Sequence, residues 1–147
     1  MKYLILILAL LTPQIASARI GETKEACEKR YGERVIKDGI FTTYFAKGYR
    51  VTVKFYDSVC WWISYEKLGS TSKKAYPIEV KVVEKLMSIA GKGWEETSSI
   101  PVFTEWETDT MEAALISLET TCKLVIFTKA GRAREKAENA LIEAEGL

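Results

Sequence analysis

Ile40-Phe41-Thr42-Thr43-Tyr44 recurs as Val102-Phe103-Thr104-Glu105-Trp106, sixty-two positions further along the chain. At the same offset Ser58-Val59-Cys60 lies over Thr120-Thr121-Cys122, and the apolar run from Trp62 to Tyr65 lies over Leu124 to Phe127. Aromatic answers aromatic, hydroxyl answers hydroxyl and thiol answers thiol. Separated stretches that share one ungapped offset are the mark of a tandem duplication. The competing explanation is that any two β-rich segments look alike, because strands draw on a small residue alphabet.

Working outward, each half reads as a helix followed by three strands. In the first half, Glu22 to Tyr31 has helical spacing, with Ala26, Cys27 and Tyr31 on one side and Gly32 as the stop. Strands are expected near Val35–Ala46, Tyr49–Tyr56 and Val59–Lys67, with Lys47-Gly48 and Asp57-Ser58 as tight turns. Val51, Val53 and Phe55 alternate with Arg50, Thr52, Lys54 and Tyr56, the pattern of an antiparallel strand with one face on a core. Leu68 to Tyr76, with Gly69-Ser70-Thr71-Ser72-Lys73-Lys74 at its heart, is the linker-like stretch between the copies. Pro77 then opens a second helix that Gly91 ends, with Ile78, Val82, Leu86 and Ile89 as its buried stripe. Strands near Ile100–Glu107, Met111–Leu118 and Thr121–Thr128 complete the second half. Gly131 punctuates, and the charged, Ala-rich stretch from Arg132 to Glu145 forms a final, weakly docking helix.

The expected fold class is therefore α+β: two tandem helix-plus-three-strand repeats (about 19–68 and 77–130) forming one antiparallel sheet with helices on one face, plus a C-terminal helix within 131–147. The other face of the sheet is left to solvent or to a partner.

The first eighteen residues read differently. Met1-Lys2 is a basic start, Tyr3 to Leu11 is an unbroken run of nine apolar residues, and Ala16-Ser17-Ala18 offers the small residues of a cleavage site. This is the pattern of a secretory signal peptide cut after Ala18. Nine apolar residues at ~1.5 Å each fall well short of a ~30 Å hydrocarbon core. The mature chain is expected to start at Arg19, without a membrane span, in the periplasm or outside the cell.

Composition narrows the chemistry. The 147 residues carry 21 Lys+Arg against 20 Asp+Glu, a formal charge of +1, and give no electrostatic case for nucleic acid. No histidine is present, which removes Ser-His-Asp and Cys-His catalysis and the commonest zinc ligand. Gly91-Lys92-Gly93-Trp94 follows a helix and lacks the Ser or Thr of a phosphate loop, so no cofactor is expected. Glu95, Glu96, Glu105, Glu107 and Asp109 are carboxylate candidates for hydrolysis or calcium, though a solvated acidic edge is the plainer reading. Export lets disulfides persist, and three cysteines allow one bridge among Cys27, Cys60 and Cys122, or none.

Aromatics are the richest feature. Trp61 and Trp62 are strand neighbours and are expected to point to opposite faces. Tyr44, Tyr56, Trp61, Tyr65 and Trp106, with Arg50 and Lys54 nearby, have the composition of a protein-binding patch. The alternative is that they are core, or covered by a terminal helix.

Arg19-Ile20-Gly21-Glu22-Thr23, the acidic helix ending Tyr31-Gly32, Gly91-Lys92-Gly93-Trp94, Trp106 before an Ala-bearing strand, Leu124 to Lys129 and the charged tail together resemble a group of small exported bacterial proteins. That group carries no established activity, so the resemblance implies export and no chemistry. The helix-plus-strands repeat is similar to the β-lactamase inhibitory protein fold and to outer-membrane-assembly lipoproteins of the SmpA/OmlA type. The former implies a concave sheet gripping another protein through aromatic and charged residues. The lipid-attachment Cys of the latter is missing here, so that resemblance implies no anchor. The leading expectation is an exported, non-catalytic protein that binds an envelope or secreted partner through an aromatic sheet face. The alternatives are a small carboxylate-dependent hydrolase, or a structural or stress protein with no specific ligand.

Overall fold

The computed structural model describes residues 19–33, 36–38, 40–70 and 74–145. The expected leader with its cleavage site after Ala18, the residue Val35, the linker centre 71–73 and the last two residues lie outside the described residues.

The elements are α1 (Lys24–Tyr31), β1 (Ile36–Asp38), β2 (Phe41–Ala46), β3 (Tyr49–Tyr56), β4 (Val59–Lys67), α2 (Val80–Ala90), β5 (Glu95–Ile100), β6 (Phe103–Glu107), β7 (Met111–Leu118), β8 (Thr121–Thr128) and α3 (Lys129–Glu145). All eight strands form one sheet in the order β1-β2-β3-β4-β8-β7-β6-β5, and each neighbouring pair is antiparallel. The protein is α+β. No helix among the described residues is long and apolar enough to cross a membrane.

Local chemistry explains most boundaries. Thr23 caps α1 by accepting from the Ala26 amide at 3.2 Å, and Gly32 ends it at φ 87°. The β3–β4 turn holds Asp57 and Ser58 at φ 48° and 65°, and the β2–β3 turn holds Lys47 and Gly48 at 49° and 81°. Two consecutive left-handed residues are what a two-residue hairpin with the sheet's own twist requires.

Four expectations are corrected. Val35–Ala46 is not one strand: it turns at Ile40, so that β1 folds back on β2 with Ile36 opposite Thr43. Likewise Ile100 and Phe103 belong to different strands, because Pro101-Val102 makes a turn between β5 and β6. Proline has no N–H for the ladder and presets the φ of a turn's first central residue. Among the described residues each half therefore carries four strands instead of three. The second helix starts at Val80, with Glu79 as its cap, three residues after Pro77. Its buried positions are Val83 and Met87, one residue round from the expected stripe, while Val82 and Leu86 pack half-buried. Finally, α3 begins at Lys129 and runs through Gly131.

The core is one cluster. Cys27 and Tyr31 of α1 and Val83 and Met87 of α2 share it with Tyr44, Val51, Val53, Cys60, Ile63, Tyr65, Ala113, Cys122, Leu124 and Ile126 of the sheet. Full burial of side chains such as Ile63, Leu124 and Ile126 contributes roughly 1.5–3 kcal/mol each before entropy is counted.

Candidate functional site

The cross-strand register assigns every strand residue to a face. Val53, Ile63, Ile126 and Ala113 are level with one another and buried in the core. Their neighbours along each strand project from the opposite face and form three parallel rows that cross the sheet.

The first row runs Phe41, Lys54, Trp62, Phe127, Glu112, Glu107, Glu95. Helix α3 lies along it. Lys129 pairs with Glu107 at 3.1 Å, Arg132 with Glu112 at 2.6 Å and over the Phe127 ring, and Lys54 with Glu135. The Tyr56 hydroxyl donates to Glu138 at 3.0 Å, and Arg134 sits 4.1 Å from the Tyr56 ring centre while reaching Asp57. Lys54 is the hub of this contact. Its ammonium lies 4.8 Å from the Phe41 ring, 5.4 Å from Trp61 and 5.3 Å from Trp62.

Both tryptophans thus share one side of the sheet, contrary to the expected alternation. The cause is a bulge: Lys54 pairs with Trp62 and Phe55 with Cys60, so Trp61 has no opposite number. An extra residue in one strand resets the two-residue period. Trp61 turns beneath α3, stacked on Tyr56 at 5.0 Å between ring centres and 8° between planes. It is buried there because Gly131 brings the helix backbone against its ring. Burial and the nearby Glu138 carboxylate hold the Tyr56 hydroxyl above the usual phenol pKa.

The middle row consists mainly of small side chains: Ile36, Thr43, Thr52, Ser64, Val125, Ala114, Glu105, Ser98. Thr43 and Thr52 hydroxyls are hydrogen-bonded to each other at 3.2 Å.

The third row is Phe45, Arg50, Glu66, Lys123, Ile116, Phe103, Ile100, and none of its members is buried. Arg50 and Glu66 form an ion pair at 3.2 Å. At ~4.8 Å between strands the row is roughly 29 Å long. It is apolar at both ends and charged at its centre. Ile100 is 55% exposed and Phe45 39%, so this is aromatic and aliphatic surface open to solvent.

The residues singled out in the sequence are divided among these settings. Tyr44 and Tyr65 are in the core, and neither faces solvent. Burial pushes the Tyr65 hydroxyl well above the usual phenol range, and does the same for its neighbour Tyr31. Lys54, Tyr56 and Trp61 come together, but under α3. Trp106 lies on the core side, lining a cleft of about 660 Å³ with Trp94 and Met87 of α2. Arg50 stands on the open row. That row was missed because Phe45, Phe103 and Ile116 read as ordinary strand hydrophobics; its signal was their register with Arg50 and Lys123, which needs the strand order.

The carboxylates scatter. Glu95 and Glu107 are cross-strand partners and, with Asp109, line a cleft of about 660 Å³ whose rim also carries Lys92 and Lys129. Glu105 projects from the middle row, and Glu96 pairs with Trp106 on the core side. Among the described residues, no group of three or more His, Cys, Asp or Glu is placed to hold a metal ion. Cys27, Cys60 and Cys122 are all buried thiols. Comparison with known proteins finds no family model, no curated protein and no solved structure that matches this chain.

Proposed function

We propose that this is an exported, non-catalytic protein, built from two tandem copies of one helix-plus-strands unit, that binds another envelope or secreted protein across its open sheet face. The uncovered row from Phe45 to Ile100 carries the reading. It combines exposed aromatic and aliphatic side chains with a charged centre of Arg50, Glu66 and Lys123, the mixture that anchors and orients a protein partner. Thr43, Ser64 and Val125 of the middle row are themselves buried, so the surface offered to the partner is the third row. The duplication is supported by the strand order, which reads the same inward from either edge, and by the equivalent places of Cys60 and Cys122, each second in its central strand. On this reading α1 and α2 share the core face, and the partner takes the other.

A photo-crosslinking residue at Phe103, in cells that make the full chain, tests the proposal. A discrete heavier adduct is expected there and not at Val80, which is 69% exposed on α2. Equal labelling at both positions, or none at either, would remove the argument. Fractionation of the same cells tests export, with an N-terminus at Arg19 as the expected product.

A further inference from the structure

The three thiols are not equivalent in place. The segment leading into α1 is stitched to the start of β4: the Gly21 amide donates to the Cys60 carbonyl at 2.7 Å, the Cys60 amide to Glu22 at 2.8 Å and the Lys24 amide to Ser58 at 3.0 Å. Thr23 also forms an isolated bridge with Val59. Cys27 sits one helical turn above Thr23, to whose carbonyl its own amide donates at 3.0 Å. One turn advances ~5.4 Å, which carries the Cys27 side chain over Cys60. Both are sealed in the same cluster, at 0% and 1% exposure.

Cys122 is elsewhere. Glu66 of β4 is level with Lys123 of β8, so the β4 residue beside Cys122 is Lys67, seven positions from Cys60. At ~3.3 Å per residue that is roughly 23 Å, against the ~4.4–6.8 Å between Cα atoms that a disulfide spans.

We propose that Cys27 and Cys60 are the disulfide site of this protein, stapling α1 to β4, and that Cys122 stays a thiol. The proposal rests on the export reading for its oxidising compartment and on the α1–β4 stitching for its geometry. In the folded protein the proximity of Cys60 holds the Cys27 thiol below its ordinary pKa, while Cys27 and burial push Cys60 up, and the Cys60 thiol donates to the Trp62 carbonyl at 3.5 Å. While α1 is still undocked either cysteine can supply the first attacking thiolate, for example Cys27. It displaces one thiol from a disulfide oxidant, such as oxidised glutathione or the catalytic disulfide of an oxidoreductase, and forms a mixed disulfide. The Cys60 thiolate then attacks the Cys27 sulfur and displaces the second thiol. One S–S bond forms, each cysteine loses a proton, and the pair's two electrons reduce the oxidant to two thiols. With both sulfurs buried, this occurs while α1 is still docking.

The test is to unfold and reduce the purified full chain, refold it in a glutathione redox buffer, then quench, alkylate under denaturing conditions and map the tryptic peptides. A linked pair of segments 25–29 and 55–67, with Cys122 alkylated, is expected. The oxidised protein should melt ~5–10 °C above the reduced one. That gain should vanish in Cys27→Ala and in Cys60→Ala and persist in Cys122→Ala. Three alkylated cysteines after refolding, or any bridge that includes Cys122, would overturn the assignment. A cytoplasmic location with the 25–29 to 55–67 bridge still forming in the refolded chain would count against export and leave the pairing standing.

Discussion

Replacing Gly131 by alanine isolates the contact that closes α3 over the sheet. Gly131 has ordinary helical backbone, so space and not torsion calls for glycine. A Cβ at this position would stand 2.3 Å from Cε3 and 2.6 Å from Cδ2 of Trp61, and 2.8 Å from the Thr128 hydroxyl. Ordinary carbon contacts are ~3.5 Å or longer, so the overlap exceeds about 1 Å. Neither obstacle can swing away cheaply. Trp61 is 5% exposed and stacked flat on Tyr56, and Thr128 accepts the Gly131 amide at 3.0 Å at the start of the helix. Overpacking a rigid site costs about 2–3 kcal/mol, and Ala in place of helical Gly returns about 1. The net loss is then about 1–2 kcal/mol, a fall in Tm of roughly 3–8 °C. Thermal unfolding by circular dichroism reads the total, and hydrogen exchange of α3 peptides shows whether the helix lifts locally. Gly91→Ala is the matched control. Its Cβ would also meet an atom at 2.3 Å, but that atom is the terminal methyl of Met111, which can rotate aside. Its expected cost is under about 0.5 kcal/mol. A Gly131→Ala protein as stable as the parent, with α3 exchange unchanged, would refute the close-approach reasoning.

Three further outcomes follow from the same contacts. Lys54→Met keeps a stem of similar length but leaves Glu135 unpaired and removes the cation from three rings; a loss of about 1–2 kcal/mol in denaturant unfolding is expected, with faster exchange in α3. The phenols of Tyr31 and Tyr65 are held above the ordinary value of ~10 by burial, so their contribution to stability is complete below pH 10 and is lost as pH rises through the folded-state values. Absorbance at 295 nm should therefore show these two phenols ionising together with the loss of near-ultraviolet circular dichroism, not before it. Charging the open row with Phe103→Glu and Phe45→Glu should change Tm by no more than about 1–2 °C, since neither side chain is buried, while abolishing any adduct formed from that row.

Some elements were legible because their cause is local. The turns at Lys47-Gly48 and Asp57-Ser58 need left-handed backbone, and Gly32 ends a helix by the same freedom. The alternation of Val51, Val53 and Phe55 identified the core face of β3 correctly, because a sheet's period is exact wherever no residue is inserted. Where a residue is inserted the pattern misleads: the bulge at Trp61 placed two neighbouring tryptophans on one side. The split of each expected first strand was hidden for a related reason, since Ile40 and Val102 at the turns are apolar and read as strand. The aromatic candidates divide between the core, the contact with α3 and the cleft beside α2, because residue type reports the preference for a half-buried sheet position and not which side of it is covered.

Helix and strand content, the tight turns and the absence of histidine chemistry are properties of short stretches of chain, and they belong to this sequence without reference to the fold. Which aromatics meet solvent, which thiol faces which, and that a charged helix seals one row while another stays open depend on strand order and register. Those are settled by contacts between residues far apart in the chain. Lys54 finds Glu135 eighty-one positions away, a pairing no local pattern could announce and only the closed sheet brings about.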